Sequence, residues 1–142
     1  MTIKSMGENE ENKITRVFPG YFPDNCPPED SIVTTMEVFH FVKGDISTSD
    51  TFVPYKLSKP DRVEPGNECI GCGISVFSSL SKAKKMRSNF PVFRNWKLSK
   101  GTLTENCGRI KRTPPGCGSG HMTLWCYEGI VIRNYFELIE EE

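Results

Sequence analysis

Two short stretches carry side chains that could do chemistry. In Cys69-Ile70-Gly71-Cys72 the spacing places two sulfurs on one turn, which is the geometry in which two thiolates hold one zinc ion. Cys107, Cys117 or His121 could supply the remaining ligands, giving Cys69, Cys72, Cys107 and Cys117 as a candidate metal set. The later cysteines are ten apart and irregular, so the plainer alternative is a set of ordinary buried or loop thiols. A thioredoxin-like redox pair would open a helix after a strand, whereas this pair precedes a strand.

The second stretch is His121-Met122-Thr123-Leu124-Trp125. On a strand His121, Thr123 and Trp125 alternate and point to one face, an imidazole, a hydroxyl and an indole in a row. Such a face can stack and hydrogen-bond a base or a nicotinamide ring; otherwise it is a half-exposed strand face meeting water. A further histidine, His40, falls in an apolar row where a satisfied core imidazole is the ordinary case. The sharper expectation is that His40 and His121 face one cleft with Ser75. The sequence contains no phosphate loop, no nucleophile and base at diagnostic spacing, and no paired carboxylates within an expected cleft.

The elements that must position these groups are readable from pattern. Residues 1–14 are polar and acidic and predict a disordered tail, followed by one domain over 15–142. Four prolines among Phe18, Tyr21 and Phe22 predict an extended segment whose aromatics lie across a sheet. The β-branched and aromatic run from Ile32 to Lys43 predicts a central strand covered on both faces. A surface loop follows, with a short helix capped by Thr48 or Ser49 through Phe52. A tight turn at Cys69 to Gly73 leads into a strand from Ile74 to Phe77, then into a helix capped by Ser78 or Ser79 that runs to about Asn89, where Pro91 stops it. Strands are expected from Trp96 to Leu103 and from His121 to Cys126, with an irregular excursion over Asn106 to Gly120 between them. The apolar stretch Ile130 to Ile139 is expected to turn back antiparallel on the preceding strand. The order implies an α+β fold, a mostly antiparallel sheet with one main helix.

A length of 142 residues fits one core. Eighteen basic and eighteen acidic residues cancel, but their distribution is uneven. Ten basic residues lie between Lys82 and Arg112 against one acid, Glu105. That stretch, interleaved with Phe90, Phe93 and Trp96, leaves nucleic acid open as a minor partner, although the helix positions suit a solvated face. No apolar run approaches the ~20 residues of a bilayer span and the start lacks a secretion signal. A cytoplasmic protein is therefore expected, with its six cysteines as thiols or metal ligands rather than disulfides.

The pairing of Cys-x-x-Cys-Gly-Ile-Ser-Val-Phe (69–77) with His-x-Thr-x-Trp (121–125) resembles a group of small bacterial proteins without an assigned activity, over about residues 26–139. More remotely, the order of elements resembles that of compact ADP-ribosyltransferases: a first strand with a central His or Arg, a Ser-bearing strand leading into a helix, and a final polar position. That resemblance implies NAD as cofactor, with His40 holding its ribose, Ser75 or Ser78 shaping the nicotinamide pocket, and Glu128 or Glu137 orienting the ribose for attack at C1. The chain departs from it in lacking a Ser-Thr-Ser triplet. Together these readings give His40, His121 and Glu128 as candidate catalytic residues and Ser75, Thr123 and Trp125 as candidate cofactor contacts. The alternative expectation is a non-catalytic protein-interaction domain, with structural zinc as an option.

Overall fold

The computed structural model describes residues 16–114 and 120–141. The expected acidic tail and Cys117 lie outside the described residues.

Six strands form one antiparallel sheet: β1 (Met36–Val42), β2 (Ile74–Phe77), β3 (Lys97–Leu103), β4 (Gly108–Arg112), β5 (His121–Cys126) and β6 (Phe136–Leu138). They lie in the order β4-β5-β2-β1-β3-β6, so β1 and β2 are interior and β4 and β6 are the edges. The main helix, α3 (Leu80–Asn89), begins where Ser79 accepts a hydrogen bond from the Lys82 amide, and the chain turns into a short 3-10 segment at Pro91–Phe93. Two shorter helices, α1 (Tyr55–Ser58) and α2 (Glu68–Gly71), interrupt the loop between β1 and β2.

Period-two alternation sends side chains to two cores. On one face Phe39, Phe41, Phe77 and Leu98 pack under Ala83 and Met86 of α3. On the other, Val38, Val42, Ile74, Val76, Leu103, Ile110, Met122 and Leu124 join Phe52, Ile132 and Phe136. The expected double cover of β1 follows, since residues 38–42 are all buried.

Strands β2 and β5 and the helix Leu80–Asn89 occupy the positions that pattern predicts, and Ser49 caps a 3-10 turn at Asp50–Phe52. The excursion after residue 106 differs from expectation. A sequence read as irregular becomes strand β4, which pairs with β5 along five residues, while Arg109 donates to the Ser31 hydroxyl and carbonyl and Ile32 bridges Ile110 on its other side. The last segment also differs. Only Phe136–Leu138 is strand, and it pairs with β3 instead of β5, following a 3-10 turn at Ile132–Tyr135 whose Ile132 is buried in the core. Gly101 admits this, because the Phe136 ring lies where a Cβ would be, 2.5 Å away.

The proline-rich segment contains no helix or strand beyond the isolated bridge at Ile32. It places Phe18 on Phe22 and Tyr127, and it brings Cys26 to Cys69, with which it forms a disulfide, Cα to Cα 5.5 Å. This corrects the expectation that the cysteines stay thiols. Among the described residues, no helix is long and apolar enough to cross a membrane.

Candidate functional site

The site begins at a defect in the sheet. Strands β1 and β2 are registered at one pair, Phe39 with Phe77, whereas β1 and β3 pair along seven residues and β2 and β5 along four. Beyond that pair β1 and β2 splay apart, and the Ser75 carbonyl loses its ladder partner. The His40 imidazole fills the role, its Nδ1 lying 2.7 Å from the Ser75 carbonyl oxygen. A carbonyl only accepts, so Nδ1 carries the proton and Nε2 is left as an acceptor. Nε2 is buried and has no hydrogen-bond partner, the one such side-chain atom among the described residues. The ring packs on Phe52 at 4.5 Å, and burial pushes its pKa down to about 4, against the opposing pull of the Ser75 and Thr51 carbonyls. His40 is therefore neutral at pH 7.

On the other side of the split the Ser75 hydroxyl meets His121. Ser75 faces Thr123 across the β2–β5 ladder and His121 faces Phe77, which puts Ser75 and His121 on one diagonal of one face. His121 Nε2 lies 2.8 Å from Ser75 Oγ. Its Nδ1 lies 2.7 Å from the Thr113 carbonyl oxygen and 2.9 Å from Thr113 Oγ1. The same tautomer argument applies: Nδ1–H donates to the Thr113 carbonyl, so Nε2 is free to accept from the serine hydroxyl. Burial lowers the His121 pKa below its ordinary value, the Thr113 carbonyl opposing, and so favours the neutral ring, the form whose Nε2 has a lone pair to offer. Ser75, exposed, His121, buried, and Thr113 thus form one hydrogen-bonded chain in which a neutral imidazole accepts from a serine hydroxyl.

Both histidines and Ser75 line one cleft of about 430 Å³. Its aromatic wall is Phe41 stacked on Phe93 at 5.0 Å, with Trp96 edge-on to Phe93 at 4.8 Å, and Tyr55 at the rim. Lys43, Lys59 and Arg62 line the same cleft with the acids Asp50 and Glu64, three cations against two acids, Lys43 lying 6.0 Å over the Trp96 ring and Lys59 paired with Asp50 at 2.9 Å. Volume and lining fall within the range of sites for small molecules.

No family model, curated protein or solved structure matches this chain. Geometry alone therefore bears on the site.

The cleft gathers some of the expected residues and leaves others out. His40, Ser75 and His121 converge. Thr123 supports from behind, its hydroxyl 2.8 Å from that of Thr113. Trp125 shares the expected face, yet it is fully buried and its indole N–H donates to the Cys69 carbonyl at 2.7 Å, so it braces the disulfide turn and is not a ligand wall. Trp96 lines the cleft in its place. Glu128 sits at a different cavity of about 300 Å³, beside Tyr21, Cys72 and Cys126, and Glu137 lies on edge strand β6; neither reaches the cleft.

The zinc expectation is corrected at Cys69, whose sulfur is bonded to Cys26 and offers no thiolate. Cys72 and Cys107 are buried thiols, and no group of three His, Cys, Asp or Glu able to hold a metal ion occurs among the described residues. Burial raises the Cys72 thiol pKa, and burial with Cys107 nearby pushes that of Cys126 up to about 12, which keeps both protonated. The basic stretch from Lys82 is also elsewhere: Lys82, Lys84 and Lys85 face solvent, Arg87 pairs with Glu141, and Lys111 with Asp30.

Thr113 and the rim cations Lys43, Lys59 and Arg62 are the residues that sequence reading missed. Thr113 stands eight positions before His121 and carries no pattern of its own; only the antiparallel pairing of β4 with β5, continued by the Thr113 amide bonding the His121 carbonyl, brings them together.

Proposed function

We propose that this chain is a nucleotide-handling domain whose cleft takes a dinucleotide of the NAD type and transfers or releases its ribosyl part, in the manner implied by the resemblance to compact ADP-ribosyltransferases. The observation that carries the reading is the convergence of His40, Ser75 and His121 on one partly apolar cleft that Lys43 and Arg62 also line. Each group has a task there. The aromatic wall of Phe41, Phe93 and Trp96 offers a surface for a planar heterocycle to pack against, and Lys43 and Arg62 suit a pyrophosphate. His40, whose Nε2 is buried out of a ligand's reach, holds the Ser75 carbonyl through Nδ1–H and so fixes the strand that presents the Ser75 hydroxyl.

Two parts of the original expectation change within this reading. Glu128 and Glu137 are given no role, and His121 stands in the third position. The test is titration with NAD while tryptophan emission is followed. A saturable change is expected, lost in Trp96→Phe, since Trp96 lines the cleft and Trp125 is buried. No change up to about 1 mM ligand sinks the reading, because an affinity weaker than about −4 kcal/mol would leave the built cleft without a use.

A further inference from the structure

We propose that Ser75 is a nucleophile that takes the ribosyl group onto its own side chain, with His121 as its base. The inference rests on the dinucleotide reading above and goes beyond it, since binding alone needs no serine hydroxyl held by a neutral imidazole.

The geometry is directional at each link. Thr113 offers a carbonyl to His121 Nδ1 at 2.7 Å, which fixes the proton there and turns the Nε2 lone pair toward Ser75. Ser75 Oγ lies 2.8 Å away on the cleft side, exposed, while the imidazole behind it is 6% exposed. The imidazole is thus largely shielded, and the serine hydroxyl is the member of the pair most open to a ligand. This is the division of labour of an activated hydroxyl, with a carbonyl doing the orienting that a carboxylate does elsewhere. His40 is placed to help from the opposite strand. It bonds the carbonyl of the same residue, Ser75, and so fixes the strand that carries the nucleophile.

The electrophile that suits this pair is the ribose C1 of an N-ribosyl pyridinium. Ser75 Oγ forms a bond to C1, and the C1–N bond breaks with its electron pair passing to the pyridinium nitrogen, which leaves as neutral nicotinamide. The serine proton passes to His121 Nε2. The leaving group needs no proton of its own, so one base is enough and a missing carboxylic acid is no obstacle. In the return step water or an acceptor hydroxyl attacks C1, Oγ leaves and recovers its proton from His121, and the proton of the attacking group goes to solvent. With water the balance is NAD and water giving ADP-ribose, nicotinamide and a proton.

The test uses the intact, disulfide-bonded chain. Wild type, Ser75→Ala, Ser75→Cys and His121→Gln are each incubated with NAD, quenched in acid and analysed by intact mass and peptide mapping. Trp96 emission reports binding and released nicotinamide is counted in parallel. Expected are one ADP-ribose unit on Ser75 in a fraction of wild-type molecules, a longer-lived adduct on the cysteine of S75C, and unchanged binding in S75A with nicotinamide release lowered roughly 100-fold or more. H121Q should also bind and lose release to a similar degree. Nicotinamide release by S75A at the wild-type rate overturns the proposal, as does an adduct on another residue, or turnover of an activated acyl ester at Ser75 with no ribosyl adduct. In those three cases retained NAD binding leaves the cleft reading standing. Absence of NAD binding by wild type overturns both.

Discussion

At the scale of single residues the unusual group is His40, an imidazole inside an apolar row whose two nitrogens are treated differently. One donates to the Ser75 carbonyl and the other has no partner. Protonating it would place a charge among Phe52, Phe136 and the strand backbone, which is why its pKa falls from 6.5 to about 4. The unfolded chain binds this proton more tightly than the folded one, so stability rises with pH between these two values. It is complete above about 6.5, is lost as pH falls toward 4, and changes no further below. Between pH 7 and pH 5 the loss assigned to this group is about 2 kcal/mol. His121, lowered for the same reason, adds to the slope in the same direction. Asp45, Asp50, Glu68 and Glu141 have pKa values below their ordinary ones, so their losses fall at lower pH. Urea unfolding at the two pH values measures the sum. His40→Asn, whose amide can still donate to Ser75 without titrating, should flatten the curve by the His40 share. An unchanged slope in that variant would show that His40 does not titrate as its burial requires.

At the scale of elements, the close approach of β4 to β5 depends on one position. A Cβ on Gly108 would fall 1.9 Å from the Trp125 carbonyl oxygen and 2.8 Å from the Cys126 Cα, both backbone atoms that no rotamer change can move. Gly108→Ala should therefore force the edge strand away and destabilise by about 3 kcal/mol, the upper part of the range for overpacking. Chemical denaturation gives the magnitude. Because Thr113 follows directly on β4, the same variant should also loosen the Thr113–His121 contact, which shows as a shifted His121 ring signal in NMR spectra. A Gly20→Ala control meets nothing within 4 Å and should leave both readouts unchanged.

At the scale of the molecule, the Cys26–Cys69 bond ties the proline-rich segment to the loop that forms one wall of the cleft. It closes a separation of 43 residues, and Cys69 stands beside Ile70 and Gly71, which line the cleft. Its carbonyl also receives the Trp125 indole. Loop-closure entropy of a chain segment this long corresponds to about 4 kcal/mol. The Cys26→Ser, Cys69→Ser pair should lose roughly that amount in urea titrations under non-reducing conditions. Wild type treated with reductant should approach the stability of the double variant, and a stability indifferent to reductant would mean that the tie contributes nothing to the fold.

Local pattern was enough for elements whose own residues decide their form. Strand β2, strand β5 and the Ser79-capped helix follow from alternation, β-branching, an N-cap and a stopping proline, all of which act within a few residues. His40, Ser75 and His121 could be singled out because polar side chains interrupt apolar rows. Their roles could not be assigned, because a role depends on which atom faces which. The β4 strand needed its five-residue ladder with β5, and the final strand needed β3 and a glycine opposite Phe136. Cys69 was judged by its neighbour Cys72, whereas its partner is 43 residues upstream.

The sequence by itself determined strands β1, β2, β3 and β5 and the main helix, and that three polar groups stand inside those strands, since these are consequences of side-chain type and period. Only the tertiary structure decided that β1 and β2 part after a single pair, that His40 fills the vacated bond, and that Ser75 and His121 meet across a ladder. These facts depend on register and on the identity of spatial neighbours, and hydrogen bonds between strands reach across intervals that no local periodicity encodes.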